Sequence, residues 1–248
     1  MSLLQQARRL LLPRVLCLGC DEPREIDPGA ALCDHCMAEL DGLRIGQSVC
    51  PRCLSPRGAD GACAYCAEGG MYGLWASYAP YQYHGVVQRL IVMLKFQGVF
   101  QAMDPLLPQL LSCMRGAGFD MIVPIPLHKS RLRERGFNQA ALLARQVEKA
   151  SGIPLIEALV RIKKTKRQSA LPHEQRELNL KDAMQVLLPV QGKTILLVDD
   201  VRTTGSTARS SAQALLKAGA TEVSLLTAAV AHARHPTPSS SKESTSST

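Results

Sequence analysis

One stretch, ILLVDDVRTTGSTARSS from Ile195 to Ser211, narrows what this chain can fold into more than any other. Ile195 to Val198 is a short apolar run, the pattern of a strand buried on both faces of a parallel sheet. Two carboxylates, Asp199 and Asp200, stand where that strand is expected to end. Thr203, Thr204, Gly205, Ser206 and Thr207 follow, all small and mostly hydroxyl-bearing, and then Ala208, Ala212, Leu215 and Leu216 recur at helical spacing up to a stop at Gly219. Strand, loop and helix N-terminus in that order turn unpaired backbone N–H groups and the positive end of a helix dipole toward an anion. A glycine in the loop lets the backbone come close to it. Adjacent acids would repel a bare phosphate, so they are expected to face sugar hydroxyls or a Mg²⁺ ion held beside them. The stretch asks for a sugar phosphate, with the terminal phosphate in the threonine loop and the ring hydroxyls on the acids. No GxxxxGK[ST] occurs, which argues against a Walker-type nucleotide triphosphatase. The plainer alternative is a strand-to-helix turn with a Thr/Ser cap and no ligand.

The start of the chain makes a different demand. Eight of the nine cysteines form four CxxC pairs, Cys17/Cys20, Cys33/Cys36, Cys50/Cys53 and Cys63/Cys66. Each pair puts two thiolates on one tight turn, half of a tetrahedral zinc site. The short separations suggest sequential pairing, with Cys17, Cys20, Cys33 and Cys36 on one zinc and Cys50, Cys53, Cys63 and Cys66 on a second; spacing alone leaves an interleaved, cross-braced pairing open. Disulfides and redox chemistry are rival readings, against which the missing secretory signal weighs. The opening residues, MSLLQQARRLLLPRVLCLGC, are apolar only briefly and are interrupted by Arg8, Arg9 and Arg14. They read as a short amphipathic helix leading into a metal site rather than as a signal peptide. Four thiolates leave no open coordination position, so both zinc sites are expected to be structural, and so polar a segment depends on its metal to fold. The module is either a docking surface or simply a cap on the next domain. Cys113, alone on an apolar stretch, reads as a buried small hydrophobe.

The chain has 248 residues, room for one α/β domain and a small module, and 46% hydrophobic residues supply a core. Aromatics make up only 4%, against a stacking platform for single-stranded nucleic acid, while a net charge of +8 favours anionic partners. No apolar run is long enough to span a bilayer, and a cytoplasmic location is the expectation.

Leu74 to Tyr83 alternates as a strand bent at Pro80, and Val86, Val87, Leu90, Ile91, Met93 and Leu94 mark one helix face. Lys95 is either an anion ligand at a site mouth or a solvated lysine at a helix C-terminus, and composition favours the second. Ala102 to Met114 reads as helix with a kink at Pro108. Phe119 to Pro126 is the next buried strand, and Lys129, Arg131, Arg133 and Arg135 cluster just past its C-terminal end. Ligands of open α/β sheets bind at that end, and four cations there suit a diphosphate. The alternative is a solvated basic loop. Asn138 is placed to cap a helix whose Ala140, Ala141, Ala144 and Val147 face the sheet. Ile153 to Arg161 holds a further short strand. The basic stretch Arg161 to Asn179 reads as a loop that closes over an anionic substrate, or as plain surface. Glu222 to Val230 is a last apolar strand. Three segments follow: residues 1–70 as the cysteine-rich module, 71–231 as an α/β domain with a parallel sheet, and 232–248 as a disordered Ser/Thr-rich tail.

Together these motifs carry a resemblance. VDDVRTTGST resembles the phosphoribosyl-diphosphate (PRPP) loop of type I phosphoribosyltransferases. With the four CxxC pairs, YQYHGVVQRLIVMLKFQG, VPIPLHKSRLRERGFNQA and KTKRQSALPHEQRELN, the layout resembles the ComF/GntX family nearly throughout. The resemblance implies the type I phosphoribosyltransferase fold behind a double zinc ribbon. It implies that Asp199 and Asp200 hold the ribose hydroxyls, that Thr203 to Thr207 hold the 5′-phosphate, and that Pro124 to Lys129 meets the diphosphate. Thr165 to Asn179 would be the closing loop, with Thr165, Gln168, Leu171, Arg176 and Asn179 on the family's spacing and the last two arginine and asparagine positions reaching the substrate. Mg²⁺ would chelate PRPP, and Lys129, Arg131 and Arg176 would stabilise the departing diphosphate. Two functions stay open: phosphoribosyl transfer to an acceptor that no residue names, or a binding module of the competence machinery, sensing PRPP or holding single-stranded DNA or a helicase.

Overall fold

The computed structural model describes residues 15–24, 30–162 and 183–231. The closing-loop positions Thr165 to Asn179, Arg176 among them, lie outside these residues, as do the expected N-terminal helix and the C-terminal tail. A two-stranded ribbon of β1 (Val15–Leu16) and β2 (Pro23–Arg24) precedes α1 (Asp34–Gly42) and a single turn, α2 (Ala64–Ala67). Then come β3 (Ser77–Tyr78), β4 (Tyr81–Gln82), α3 (Gly85–Gln97), a 3₁₀ turn at Phe100–Met103, α4 (Leu107–Cys113) and β5 (Met121–Pro124). Next are α5 (Lys129–Arg135), α6 (Gln139–Ser151), β6 (Leu159–Arg161) and β7 (Met184–Val186). The last three elements are β8 (Thr194–Arg202), α7 (Ser206–Lys217) and β9 (Glu222–Val230).

A wholly parallel sheet runs β3–β9–β8–β5, with β4 also paired to β9. Its central strands are apolar on both faces because helices and the N-terminal segment cover both. Alternate side chains divide accordingly. Leu196, Val198, Ile122 and Leu226 point into one core with Val86, Val87, Leu90, Ile91, Leu94, Leu143 and Val147. Ile195, Leu197, Val123 and Leu225 point into the other with Met71, Leu74, Ala208, Ala212 and Leu215. The period of two along β8 thus splits one strand between two cores.

Several local expectations change. Strand β8 does not end at the acids; it runs to Arg202, because Thr227, Ala229 and Val230 of β9 stay in register beside it. Pro108 does not kink a long helix. It sits in the first turn of α4, where a missing N–H costs nothing, and a 3₁₀ turn fills the preceding residues. The basic cluster is not a loop but the helix α5, begun by His128, whose Nδ1 accepts from the Ser130 N–H at 3.2 Å and closed by Gly136 at φ 79°. Asn138 caps α6 as its position suggested: its Oδ1 accepts from the Ala140 N–H at 3.2 Å, and its Nδ2 donates to the Ile125 carbonyl. Cys113 is only half-buried, its thiol donating to the Leu110 carbonyl, and burial pushes its pKa up to about 12. Among the described residues no helix is long and apolar enough to cross a membrane.

Candidate phosphate site and cysteine clusters

The polar residues of the central motif gather at the C-terminal edge of the sheet. Asp199, Arg202 and Thr203 to Ala208 line one pocket together with Leu225 and Thr227. Gly205, at φ 71°, makes the turn from β8 into α7, a conformation that glycine alone adopts without strain. The Thr204 and Ser206 hydroxyls lie 2.9 Å apart, and Thr204 Oγ1 accepts a long bond from the Ser206 N–H at 3.5 Å. The loop therefore presents hydroxyls and first-turn amides of a 12-residue helix to the same small space.

Of the two acids, Asp199 lines the pocket, while Asp200, the next residue of β8, pairs with Lys95. The Asp200 N–H donates to Asp199 Oδ1 at 2.9 Å. Burial first, then the charge of Asp200, pushes the Asp199 carboxyl up to about 7, against the pull of that N–H, Lys95 and Arg161. Lys95 is no solvated lysine. Its Nζ lies 2.9 Å from Asp200 Oδ1, and both side chains are largely buried, at 19% and 14% exposure. Helix α3 delivers it there by packing Val87, Leu90, Ile91 and Leu94 into the core, which leaves its last turn at the sheet edge. Arg161, expected both to end a short strand and to open the basic stretch, does end β6 and is only 8% exposed there. Burial, then the neighbouring Arg131, hold its pKa below the ordinary value, and Asp199 draws it back. Arg131, Arg161, Asp199, Asp200 and Lys95 thus feel one another's charge, a mixed cluster suited to a ligand with anionic and hydroxyl ends.

The other predicted cations fare differently. Lys129 is exposed on the first turn of α5. Arg133 is exposed as well, and Arg135 lies over the Phe96 ring, 5.1 Å from its centroid. Thr227 had no sequence signal. Beside Asp199 in the ladder, it lines the pocket with a buried hydroxyl that has no protein partner.

The cysteines form two separate clusters, Cys17, Cys20, Cys33 and Cys36, and Cys50, Cys53, Cys63 and Cys66; in each, four sulfurs lie within 4.8 Å of one another. The grouping is sequential, not interleaved. Tetrahedral coordination at about 2.3 Å per thiolate puts sulfurs about 3.8 Å apart, far beyond a disulfide at about 2 Å. Cys50–Cys66 at 3.9 Å and Cys53–Cys63 at 3.3 Å match the first arrangement. The Gly19 and Cys33 N–H groups donate to Cys17 Sγ at 3.3 and 3.2 Å. Despite burial, these amides draw the Cys17 thiol down to about 7, which favours the thiolate that a metal needs. Burial likewise opposes, and amides outweigh it, at Cys50, also drawn down to about 7. Both clusters could hold a metal ion.

Each cluster packs into one of the two cores. The first packs into the core of α3, where Glu39 accepts from the Val86 N–H at 2.9 Å and Arg89 bridges Glu39 to the Gly19 carbonyl. The second packs into the core of α7.

Comparison with known proteins agrees with the fold. Residues 132–247 match the phosphoribosyl transferase domain. DNA utilization protein YhgH of Salmonella typhi is 33% identical over 224 residues, covering 84% of this chain and 93% of that protein. Competence protein ComFC of Bacillus subtilis is 28% identical over 230 residues, covering 83% of this chain and 90% of its own length. The purine phosphoribosyltransferase from Pyrococcus horikoshii Ot3 covers 52% of this chain and 72% of itself at 19% identity, with a TM-score of 0.35, too low to argue from. A type I phosphoribosyltransferase fold, preceded by two four-cysteine clusters and shared along nearly the whole length of such relatives, makes this chain a member of the ComF family.

Proposed function

We propose that the protein binds PRPP with Mg²⁺, with the 5′-phosphate on Thr203 to Thr207 and the ribose hydroxyls on Asp199 and Asp200. The observation that carries this reading is that Asp199 and a hydroxyl-rich helix start share one pocket, while the adjacent Asp200 is held by the largely buried Lys95. Asp199 and Asp200 would hold the metal, which when bound neutralises the diphosphate and polarises its bond to the sugar. Arg131, Arg161 and Lys95 then face the anionic end, with Lys129 at the outer edge and Arg176 on the closing loop as further proposed contacts. In phosphoribosyl transfer the C1–O bond breaks as charge builds on the departing diphosphate, and fixed cations aimed at that charge lower the barrier. No protein nucleophile is required, so positioning supplies the rest. The acceptor would enter over the side built by α3 and the cysteine clusters. The relatives named for DNA utilization and competence carry the role further: we place the activity in DNA uptake. Both cysteine clusters would carry structural zinc.

Titration calorimetry with Mg·PRPP tests the site. The parent should bind, and the Asp199→Asn, Asp200→Asn double variant should not, while melting at least as high. Equal affinity in both would overturn the assignment. Diphosphate release against a panel of bases and amines separates transfer from sensing. A second reading rests on the net charge of +8: a non-catalytic module holding single-stranded DNA or a helicase. A salt-dependent DNA mobility shift that survives the double substitution, without diphosphate release, favours that reading.

A further inference from the structure

The second cysteine cluster does more than cover the sheet. Tyr65 stands between Cys63 and Cys66 on α2, so its ring direction is set by the cluster. Its hydroxyl donates to the Thr204 carbonyl at 3.3 Å. It also lies against Gly205, where a side-chain methyl would collide with it. Arg202, 3% exposed at the end of β8, stacks its guanidinium 4.6 Å from the Tyr65 ring centroid. The same guanidinium donates to the Cys53 carbonyl and, at 3.4 Å, to the Ser55 hydroxyl. Arg209, on the first turn of α7, donates to the Thr204 carbonyl at 2.9 Å and to the Gly70 carbonyl at 3.5 Å. Two donors therefore fix one peptide oxygen, and both are tied to the chain around the cluster.

The direction of that oxygen matters. In a trans peptide the C=O and the following N–H point opposite ways. Holding the Thr204 carbonyl toward Tyr65 and Arg209 aims the Gly205 N–H away from them, and Gly205 lines the pocket. A phosphate bound there needs that amide fixed beforehand.

We propose that Tyr65, with Arg202 behind it, is a positioning residue for the phosphate loop, and that the second cysteine cluster is the strut that holds both. The proposal rests on Thr203 to Thr207 being a phosphate loop. Tyr65 is not among the pocket's lining residues and acts through the Thr204–Gly205 peptide; Arg202, which also lines the pocket, acts here by holding the Tyr65 ring. The first cluster, which braces α3, has no such contact among the described residues.

Two readouts test this. The first is amide hydrogen exchange at Gly205 and Ser206 in ligand-free protein, which is independent of what the loop binds. Tyr65→Phe keeps the ring and its stacking on Arg202 but loses the hydroxyl, and should raise exchange at these amides about fivefold, the equivalent of one net hydrogen bond. Arg202→Gln, which loses the stacked cation, should do the same, and Arg202→Lys should restore part of the protection. Arg89→Ala, at the first cluster, should leave these amides unchanged. Zinc content and melting temperature of Tyr65→Phe should match the parent. The second readout is affinity for Mg·PRPP, which should fall about fivefold to tenfold in Tyr65→Phe. Unchanged exchange in both Tyr65→Phe and Arg202→Gln overturns the proposal. If the parent does not bind PRPP, the ligand assignment fails while exchange still judges the strut. If exchange rises and affinity stays at the parent's value, the loop is braced but the amide is not a ligand, and the positioning role falls.

Discussion

Asp199 carries a measurable liability in the protein without ligand. Its carboxyl is pushed up from 3.8 to about 7, chiefly by burial and then by Asp200. A raised carboxylate pKa means that the native state holds the proton more tightly than the unfolded chain does. Stability contributed this way is greatest below about pH 4, declines as pH rises and is gone above about pH 7. At about 1.4 kcal/mol per pH unit, the interval from pH 5.5 to 7 takes away about 2 kcal/mol. The coupled Lys95–Asp200 pair can relax, so this is an upper bound. Asp199→Asn removes the titration. Urea unfolding of both proteins in magnesium-free buffer at pH 5.5 and pH 8 should show the variant gaining about 2 kcal/mol on the parent across that interval. Chelators must be left out, since they would strip the cysteine clusters. The comparison between proteins cancels any acid sensitivity of the thiolates. Parallel stability profiles in parent and variant would refute a proton on Asp199, and the same profile change in Asp200→Asn alone would move it to the partner. The counterpart in binding has the opposite slope: Mg·PRPP must displace the proton, so its affinity should rise between pH 6 and 8 with release of up to one proton.

Three further outcomes follow from the same geometry. Lys95→Met leaves Asp200 without its partner at 2.9 Å; Mg·PRPP affinity should drop tenfold or more in calorimetry, with the fold intact by circular dichroism. Gly205→Ala forces an alanine to φ 71° against Tyr65 and should cost about 1–3 kcal/mol of stability in denaturant unfolding, together with ligand binding. Metal analysis should find about two zinc ions per chain for eight thiolates, and removing them with a strong chelator should lower the melting temperature steeply.

The parts of this molecule that obey a local period were readable before any coordinates. Ile195 to Val198 announce a doubly buried strand because four apolar residues in a row suit no one-sided element. The CxxC spacing announces thiolate pairs because two residues are what a tight turn holds between them. Gly205 and Gly219 mark turns at φ 71° and 95° that other residues avoid. What was not readable is where long side chains end up after packing. Lys95 and Arg161 look like surface cations in any window, and only the docking of α3 and β6 brings them to Asp200 and Asp199. Tyr65 and Arg202 are 137 residues apart, and nothing in either neighbourhood names the other. That the basic segment from Lys129 to Arg135 forms a helix was not legible, because seven residues are too few to show a helical period.

The sheet order has a consequence for how the chain is made. Tyr78 lies beside Leu226 and Tyr81 beside Ala229, so the first and last strands of the domain are neighbours. A ribosome delivers the cysteine segment early, yet the strip that follows it has no ladder to join until β9 has been synthesised. Pairing across so long a stretch is slow. A transcript cut short before Glu222 would leave the cysteine segment on an unfinished scaffold, with apolar β8 bare along one edge and inviting aggregation. Completion of the final strand is therefore the event that welds the first and last strands of the sheet into one working body.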